Sequence, residues 1–330
     1  MTPPNQAARP GRSPQRAPET PSVLTGRDNR WLKDFRMALR GGLPTESGSV
    51  GVEGVRLVQE ALRSTCRIEA VLFSQSGERH HTRLAPFLDR AELGFPVLRT
   101  TDRLFEGLAD TEHPQGVAAL VEPRTAASLD DLLSAGTKNA ALLVILVGVQ
   151  DPGNVGTILR TAAAFGATGA ATCASGQSGT ASPFSPKALR ASAGAALHLP
   201  ILAGMSLAIL LMQLKLAGVH TLASTVHGAE AVGARFSASQ SSDAAPPLFA
   251  PWEVDWCQPV ALLVGNEGAG LPEELERSAE VRVRIPMASG VDRFAVTHKV
   301  DSLNAAAAAA VLLYEAARQR KLLTGSGASP

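Results

Sequence analysis

The sequence predicts an α/β protein of two domains, the second built on a mainly parallel sheet with helices on both faces. Three observations predict it. The chain has 330 residues, more than one ordinary domain needs. Strand-like and helix-like segments alternate along most of its length, the pattern of layered α/β folds. The stretch ALLVILVGV (141–149) is a continuous apolar run, as a parallel strand buried on both faces requires. Hydrophobic residues make up 45% and charged ones 18%, which is ample material for a core.

The elements follow in order. Residues 1–27 are rich in Pro, Arg, Ser and Thr and bury too little apolar surface to offset their ordering entropy, so they read as a disordered tail. Residues 28–123 read as a compact α/β domain. Its helices are expected over 31–39, stopped by the pair Gly41–Gly42, then over 55–62, around 83–92 and over 101–109, the last capped by Thr101 or Asp102. Its strands are expected at 68–74, 96–100 and 116–122. The polar, small-residue stretch 124–140 reads as a linker. Within 141–321, strand-like runs recur at 167–173, 219–225, 260–265 and 281–287. Helical segments lie near 155–165, 187–197, 206–217, 271–278 and 302–320. Residues 234–258 break the rhythm and read as a surface insertion, with Trp252 and Trp256 anchoring it. Residues 322–330 read as a second disordered tail.

Several function classes drop out. No apolar run reaches the length of a bilayer crossing, and the N-terminus has basic residues without the apolar segment of a secretory signal. Cys66, Cys173 and Cys257 lie far apart with no CxxC spacing, which argues against a disulfide framework or a Cys-based zinc site and for a reduced, cytoplasmic protein. The seven histidines show no HExxH or HxH pattern, His80–His81 reads as a surface pair, and no metal is expected. With a net charge of only +1, a nucleic-acid partner must be held by local patches.

In open α/β sheets ligands bind beyond the carboxyl ends of the strands, so the loops there carry the candidate chemistry. The first is QDPGNVGTILRTAAAFGATG (150–169), where Asp151-Pro152-Gly153-Asn154 turns into a helix whose start favours anions. Arg160 lies one and a half turns inside that helix, a spacing that also suits a solvated face. The second is LLVGNEGAGLPEELER (262–277), whose glycines permit close backbone approach. Its Glu267 is either a base or, the better reading for an isolated acid, a tie for loop N–H groups. The third is RIPM (284–287), followed by DSLNAAAAAAVLLYEAARQRK (301–321), a helix capped by Asp301 or Ser302, with Arg318, Arg320 and Lys321 suiting its C-terminal end. None of this is GxGxxG or a P-loop, so a nicotinamide-dependent oxidoreductase lacks its fingerprint.

Together the loops DPGNVGTILRTAAAFGA, VGNEGAGL and IPM…SLNAAAAAAVLLYE resemble the three motifs of the SpoU class of RNA 2′-O-ribose methyltransferases. FSPKALRASAGAALHLP (184–200) is typical of that family. VEGVRLVQEAL and TEHPQGVAALVE resemble its ribosomal-protein-like RNA-binding domain, so the resemblance covers roughly 30–320.

The resemblance implies a C-terminal domain that threads a deep trefoil knot, one of the exceptions to the no-knot rule. It implies bound S-adenosylmethionine, held by Leu263, Gly265, Ile285 and Leu303 with Met287, Ser302 and Asn304 nearby. It places Asn154 and Arg160 at the catalytic side, Glu267 in a supporting loop, and Lys187 and Arg190 as candidate RNA contacts. It implies a homodimer acting on ribosomal or transfer RNA, with no DNA or membrane partner. A rival reading is a catalytically silent RNA-binding protein with the same fold; the intact Asn154, Arg160, Glu267, Ser302 and Asn304 favour the enzyme. One departure stands out: ASGVDRFAVTHKVD (288–301) separates IPM from SLN, where the family has a handful of residues. That segment is expected to pass over the donor pocket, either as a lid using Arg293 or Lys299 or as a passive insertion.

Overall fold

The structure, a computed structural model, describes residues 23–88, 94–134, 140–176, 179–226, 246–266, 268–287 and 302–325, the last five of these in backbone only. The front domain comprises β1 (Val23–Leu24), α1 (Arg30–Leu39), β2 (Val50–Glu53), α2 (Val55–Arg63), β3 (Arg67–Ser74), α3 (His81–Leu88), β4 (Val97–Thr100), α4 (Asp102–Glu106) and β5 (Val117–Glu122). Its sheet runs β1-β4-β3-β5-β2, with β1, β4 and β3 parallel and β5 antiparallel to β3 and β2. Helix α1 forms because Leu32, Phe35, Ala38 and Leu39 recur at helical spacing and are all buried. Its first turn is capped by the Asn29 side chain, which accepts the Trp31 N–H at 2.9 Å. Gly51 lets α1 lie directly on β2, since a Cβ there would come within 2.7 Å of the Ala38 backbone.

Two features here depart from the sequence reading. Strand β2 was not foreseen, because four residues containing a glycine carry little periodic signal. Val23–Leu24, assigned to the tail, instead pair with β4, where the Thr100 hydroxyl donates to the Leu24 carbonyl at 2.9 Å.

The stretch read as a linker contains a helix, α5 (Leu129–Ser134), whose Leu129 and Leu132 are buried. Asp131 holds its start by accepting the N–H groups of Ala127 and Ser128. Two leucines among polar residues are enough to dock it on the second sheet.

That sheet follows with β6 (Leu142–Val147), α6 (Pro152–Ala164), β7 (Gly169–Cys173), α7 (Pro186–Ala191), β8 (Ile201–Met205), α8 (Leu207–Leu216), β9 (His220–Ser224), β10 (Leu248–Phe249), β11 (Val260–Val264), α9 (Glu273–Ser278), β12 (Val281–Val283) and α10 (Ala305–Gly325). All seven strands are parallel, in the order β10-β12-β9-β11-β6-β7-β8. Strands β6 and β11 are buried at every residue, as their unbroken apolar runs require. Edge strand β8 was missed, its Ala203 and Gly204 being exposed.

The later part of the expected surface insertion is structural instead. Leu248–Phe249 pair with β12, and Trp256 is fully buried, its indole N–H donating to the Pro251 carbonyl at 2.8 Å. Trp252 is 62% exposed, so of the two tryptophans it is Trp256 that anchors this segment in the core. Residues 234–245 of that region lie outside the described residues. Arg320, expected to suit the end of its own helix, reaches across it: its guanidinium donates to the carbonyls of Trp256, Gln258, Ala140 and Ala141. This ties α10 to the starts of β6 and β11.

The two domains share one apolar cluster. Val52, Val55 and Leu57 of the front domain belong to the same buried group as Leu189, Ala196 and Leu197 behind α7.

Candidate active site

Motif 1 is built by the start of α6. Asp151 caps it, accepting the Gly153 N–H at 2.7 Å, and Pro152 takes the first helical position, where no N–H is needed. Lys187 on α7 sits 2.8 Å from the same carboxylate. The Lys187 ammonium, and then the Gly153 N–H, hold the Asp151 carboxyl below its usual range. Asn154 is half-buried on the first turn. Arg160 is exposed further along and has no hydrogen-bond or ion-pair partner among the described residues.

Motif 3 meets motif 1 through a side chain. Asn304 donates from Nδ2 to Asn154 Oδ1 at 3.2 Å, across 150 positions of sequence. Its own Oδ1 accepts the Ala306 N–H at 2.8 Å, and its carbonyl accepts the Ala308 N–H at 2.9 Å. Asn304 therefore caps α10, which corrects the expectation of Asp301 or Ser302. Ser302 lies exposed before the helix, and Asp301 falls outside the described residues.

Motif 2 is held by Asn266. Its amide donates to the Gly148 carbonyl past the end of β6 at 2.9 Å, and its Oδ1 accepts the N–H groups of Gly268 and Ala269. Its backbone pairs with Gly270 in both directions. Gly265 must be glycine, since a Cβ would lie 2.4 Å from the Gly270 carbonyl carbon. Asn266 thus ties loop N–H groups, and Glu267, expected to do so, lies outside the described residues. The signal was present: an Asn side chain can accept from backbone N–H groups two residues on and so mimic a backbone turn.

The expected donor-binding residues fall into two sets. Leu263 is buried inside β11 between β6 and β9, its side chain in a core cluster and its carbonyl accepting the Ser224 hydroxyl at 2.8 Å. Gly265, Ile285, Met287, Ser302, Leu303 and Asn304 lie past the ends of β11 and β12. Among the described residues, no backbone hydrogen bond engages Gly265, Ile285, Ser302 or Leu303. Free peptide groups suit the edge of a purine, and the half-buried Ile285 and 37%-exposed Leu303 suit its faces. The residues present fit an adenosine-containing donor.

Helix α7 crosses α6 closely at Gly156, where a Cβ would lie 2.3 Å from the Ala188 carbonyl oxygen. Of the two candidate RNA contacts on α7, Lys187 pairs with Asp151. Arg190 donates at 2.7 Å to Asp110 of the front domain. The segment 288–301, expected to cover the donor pocket, lies outside the described residues.

Three loops at the carboxyl ends of β6, β11 and β12 come together through Asn154, Asn266 and Asn304, beside an arginine without a polar partner among the described residues. Residues 141–314 match the SpoU rRNA methylase family, and residues 52–127 match the RNA 2′-O ribose methyltransferase substrate-binding family. The chain belongs to the SpoU rRNA methylase family. It is 29% identical to an uncharacterized tRNA/rRNA methyltransferase of Synechocystis, over 90% of this chain and 94% of that protein. It is 27% identical to a 23S rRNA guanosine-2′-O-methyltransferase of Bacillus subtilis, over 87% of this chain and 95% of that one. Among solved structures, the SpoU methyltransferase AviRb of Streptomyces viridochromogenes in complex with AdoMet superposes with a TM-score of 0.67 at 27% identity, covering 89% of this chain and 98% of that one. S-adenosylmethionine is the methyl donor, and a ribose 2′-hydroxyl of RNA is the acceptor.

Proposed function

We propose that the chain methylates ribosomal RNA, as a cytoplasmic homodimer whose C-terminal strands and α10 thread a trefoil knot. The donor supplies an electrophilic methyl group on a sulfonium; the rest is the work of side chains. Transfer to a ribose oxygen needs in-line placement, and positioning alone is worth about 7–11 kcal/mol of barrier. Arg160 holds the phosphate beside the target ribose and stabilises the alkoxide as the hydroxyl loses its proton, because a guanidinium stays charged and offers five donors. Asn154 orients the reacting end from the first turn of α6. Gly265, Ile285, Met287, Ser302, Leu303 and Asn304 hold the donor, with Leu263 setting the position of the loop from inside β11 and Glu267 supporting it. Lys187, still largely exposed beside Asp151, offers a second phosphate contact. The 2′-hydroxyl itself excludes DNA as an acceptor.

The observation that carries this reading is the Asn304–Asn154 contact, which brings the donor-side motif onto the helix that bears Arg160. Ribosomal RNA is favoured over transfer RNA because the Bacillus subtilis relative, matched over 95% of its length, is named a 23S rRNA methyltransferase. Incubating the protein with labelled S-adenosylmethionine and unmethylated 23S rRNA or tRNA transcripts tests the choice. Label in the 23S transcript at an alkali-resistant linkage is expected, and label in tRNA alone would overturn it.

A further inference from the structure

The front domain is joined to the catalytic helix by a chain of polar contacts. Glu53, at the end of β2, is 7% exposed, yet its carboxylate is fully engaged by a loop. It accepts the Asp110 N–H at 2.9 Å and the Thr111 hydroxyl. At the other end of that loop, Gln115 accepts the Val55 N–H at 2.9 Å. Residues 110–115 are thus pinned to the β2–α2 junction at both ends, and they also wall a polar cleft of about 230 Å³ shared with Ser74, Ser76 and Asp102. From this pinned loop the Asp110 carboxylate reaches Arg190 on α7 at 2.7 Å. Helix α7 in turn rests on α6 at Gly156, with no space for even a methyl group between them, and α6 carries Asn154 and Arg160.

Cohesion of the domains does not need this pair. Val52, Val55 and Leu57 already pack in one cluster with Leu189 and Leu197, and a partly exposed ion pair adds little to stability. What the pair supplies is direction, since a bond at the rim fixes rotation about an apolar contact that tolerates sliding. We propose that Asp110 and Arg190, with Glu53 behind them, are positioning residues that set which ribose of an RNA held by the front domain arrives at Arg160. This rests on the placement of Arg160 at the reacting ribose. It assigns Arg190 to the domain interface in place of a phosphate.

The two assignments of Arg190 give opposite signs for its partner. If Arg190 binds phosphate, removing the Asp110 charge frees it and RNA binding tightens. If the pair positions the domains, removing either charge is equally harmful. The experiment compares Asp110→Asn, Arg190→Gln and the reversed pair Asp110→Arg/Arg190→Asp in the full chain, on whichever of the 23S rRNA and tRNA transcripts the wild type methylates. Each single variant is expected to lower kcat about tenfold, the scale set by small misplacements of a reactant, and to spread methyl groups to neighbouring riboses. Donor affinity and thermal midpoint are expected to stay at wild-type values, and the reversed pair to recover most of the rate and the single target. Tighter RNA binding by Asp110→Asn would overturn the proposal. So would loss of donor binding in step with the thermal midpoint, or a folded reversed pair that recovers nothing. Arg160→Ala at wild-type rate would instead overturn the reading of the site, and leaves the comparison between the paired variants intact.

Discussion

Asn304 performs two tasks with one carboxamide: its oxygen caps α10 and its nitrogen holds Asn154. Such a residue holds the start of α6 and the start of α10 in a single geometry. Arg160, by contrast, is held by nothing polar among the described residues, as befits a group that awaits a phosphate. Arg160→Ala is expected to lower single-turnover methylation by about 10²–10³-fold, the usual cost of deleting one charge-stabilising donor. Donor affinity by calorimetry should stay within about twofold, because the proposed donor contacts are backbone groups elsewhere. A second prediction concerns Cys173, whose thiol burial pushes from 9.0 up to about 11. The folded state therefore binds that proton more tightly than the unfolded chain does. The resulting stability is fully present below pH 9 and is lost as the pH rises toward 11. Native protein should resist iodoacetamide at Cys173 at pH 8, and Cys173→Ala should flatten the fall of the unfolding midpoint between pH 9 and 11.

At the scale of elements, the crossing of α6 and α7 fixes the position of the helix that carries Asn154 and Arg160. Gly156 is the point of closest approach, and the added methyl of Gly156→Ala would meet the Ala188 carbonyl at 2.3 Å. The helices must part, at a cost of about 1–3 kcal/mol. A lower urea midpoint with unchanged slope is expected, and methylation should fall more than stability explains because α6 carries Asn154 and Arg160. The long helices and the buried strands β6 and β11 were legible because period and burial are written in consecutive residues. Strands β2 and β8 were not: each is four or five residues long, and β8 combines an exposed edge with Gly204 at φ +74°. Helix α5 was hidden in a polar stretch where only Leu129 and Leu132 report burial.

For the whole molecule, the outer face of α10 is informative. Val311 is 43% and Tyr314 57% exposed, and the Tyr314 ring meets Phe165 beyond the end of α6 edge-on at 5.9 Å. Apolar side chains on a helix beside the active site suit an isologous contact with a second copy. Sedimentation is expected to show a dimer at micromolar concentration, and Val311→Arg/Tyr314→Glu to show a monomer of unchanged far-ultraviolet circular dichroism. A wild-type monomer would contradict the symmetric assembly.

The sequence by itself determined the α/β class and the three motif loops, because strand burial, helix period and the glycine-rich composition of turns are local properties. It placed Asn154 and Arg160 on one helix and Gly265 in a loop that only glycine can form. Tertiary structure decided which of these meet. Asn304 reached Asn154, Arg190 turned to Asp110, Trp256 entered the core, and Arg320 gathered four carbonyls from two strand starts. Each of those contacts spans at least five residues and most span more than sixty, so strand order and helix crossing decide them, and no local pattern of residues records either.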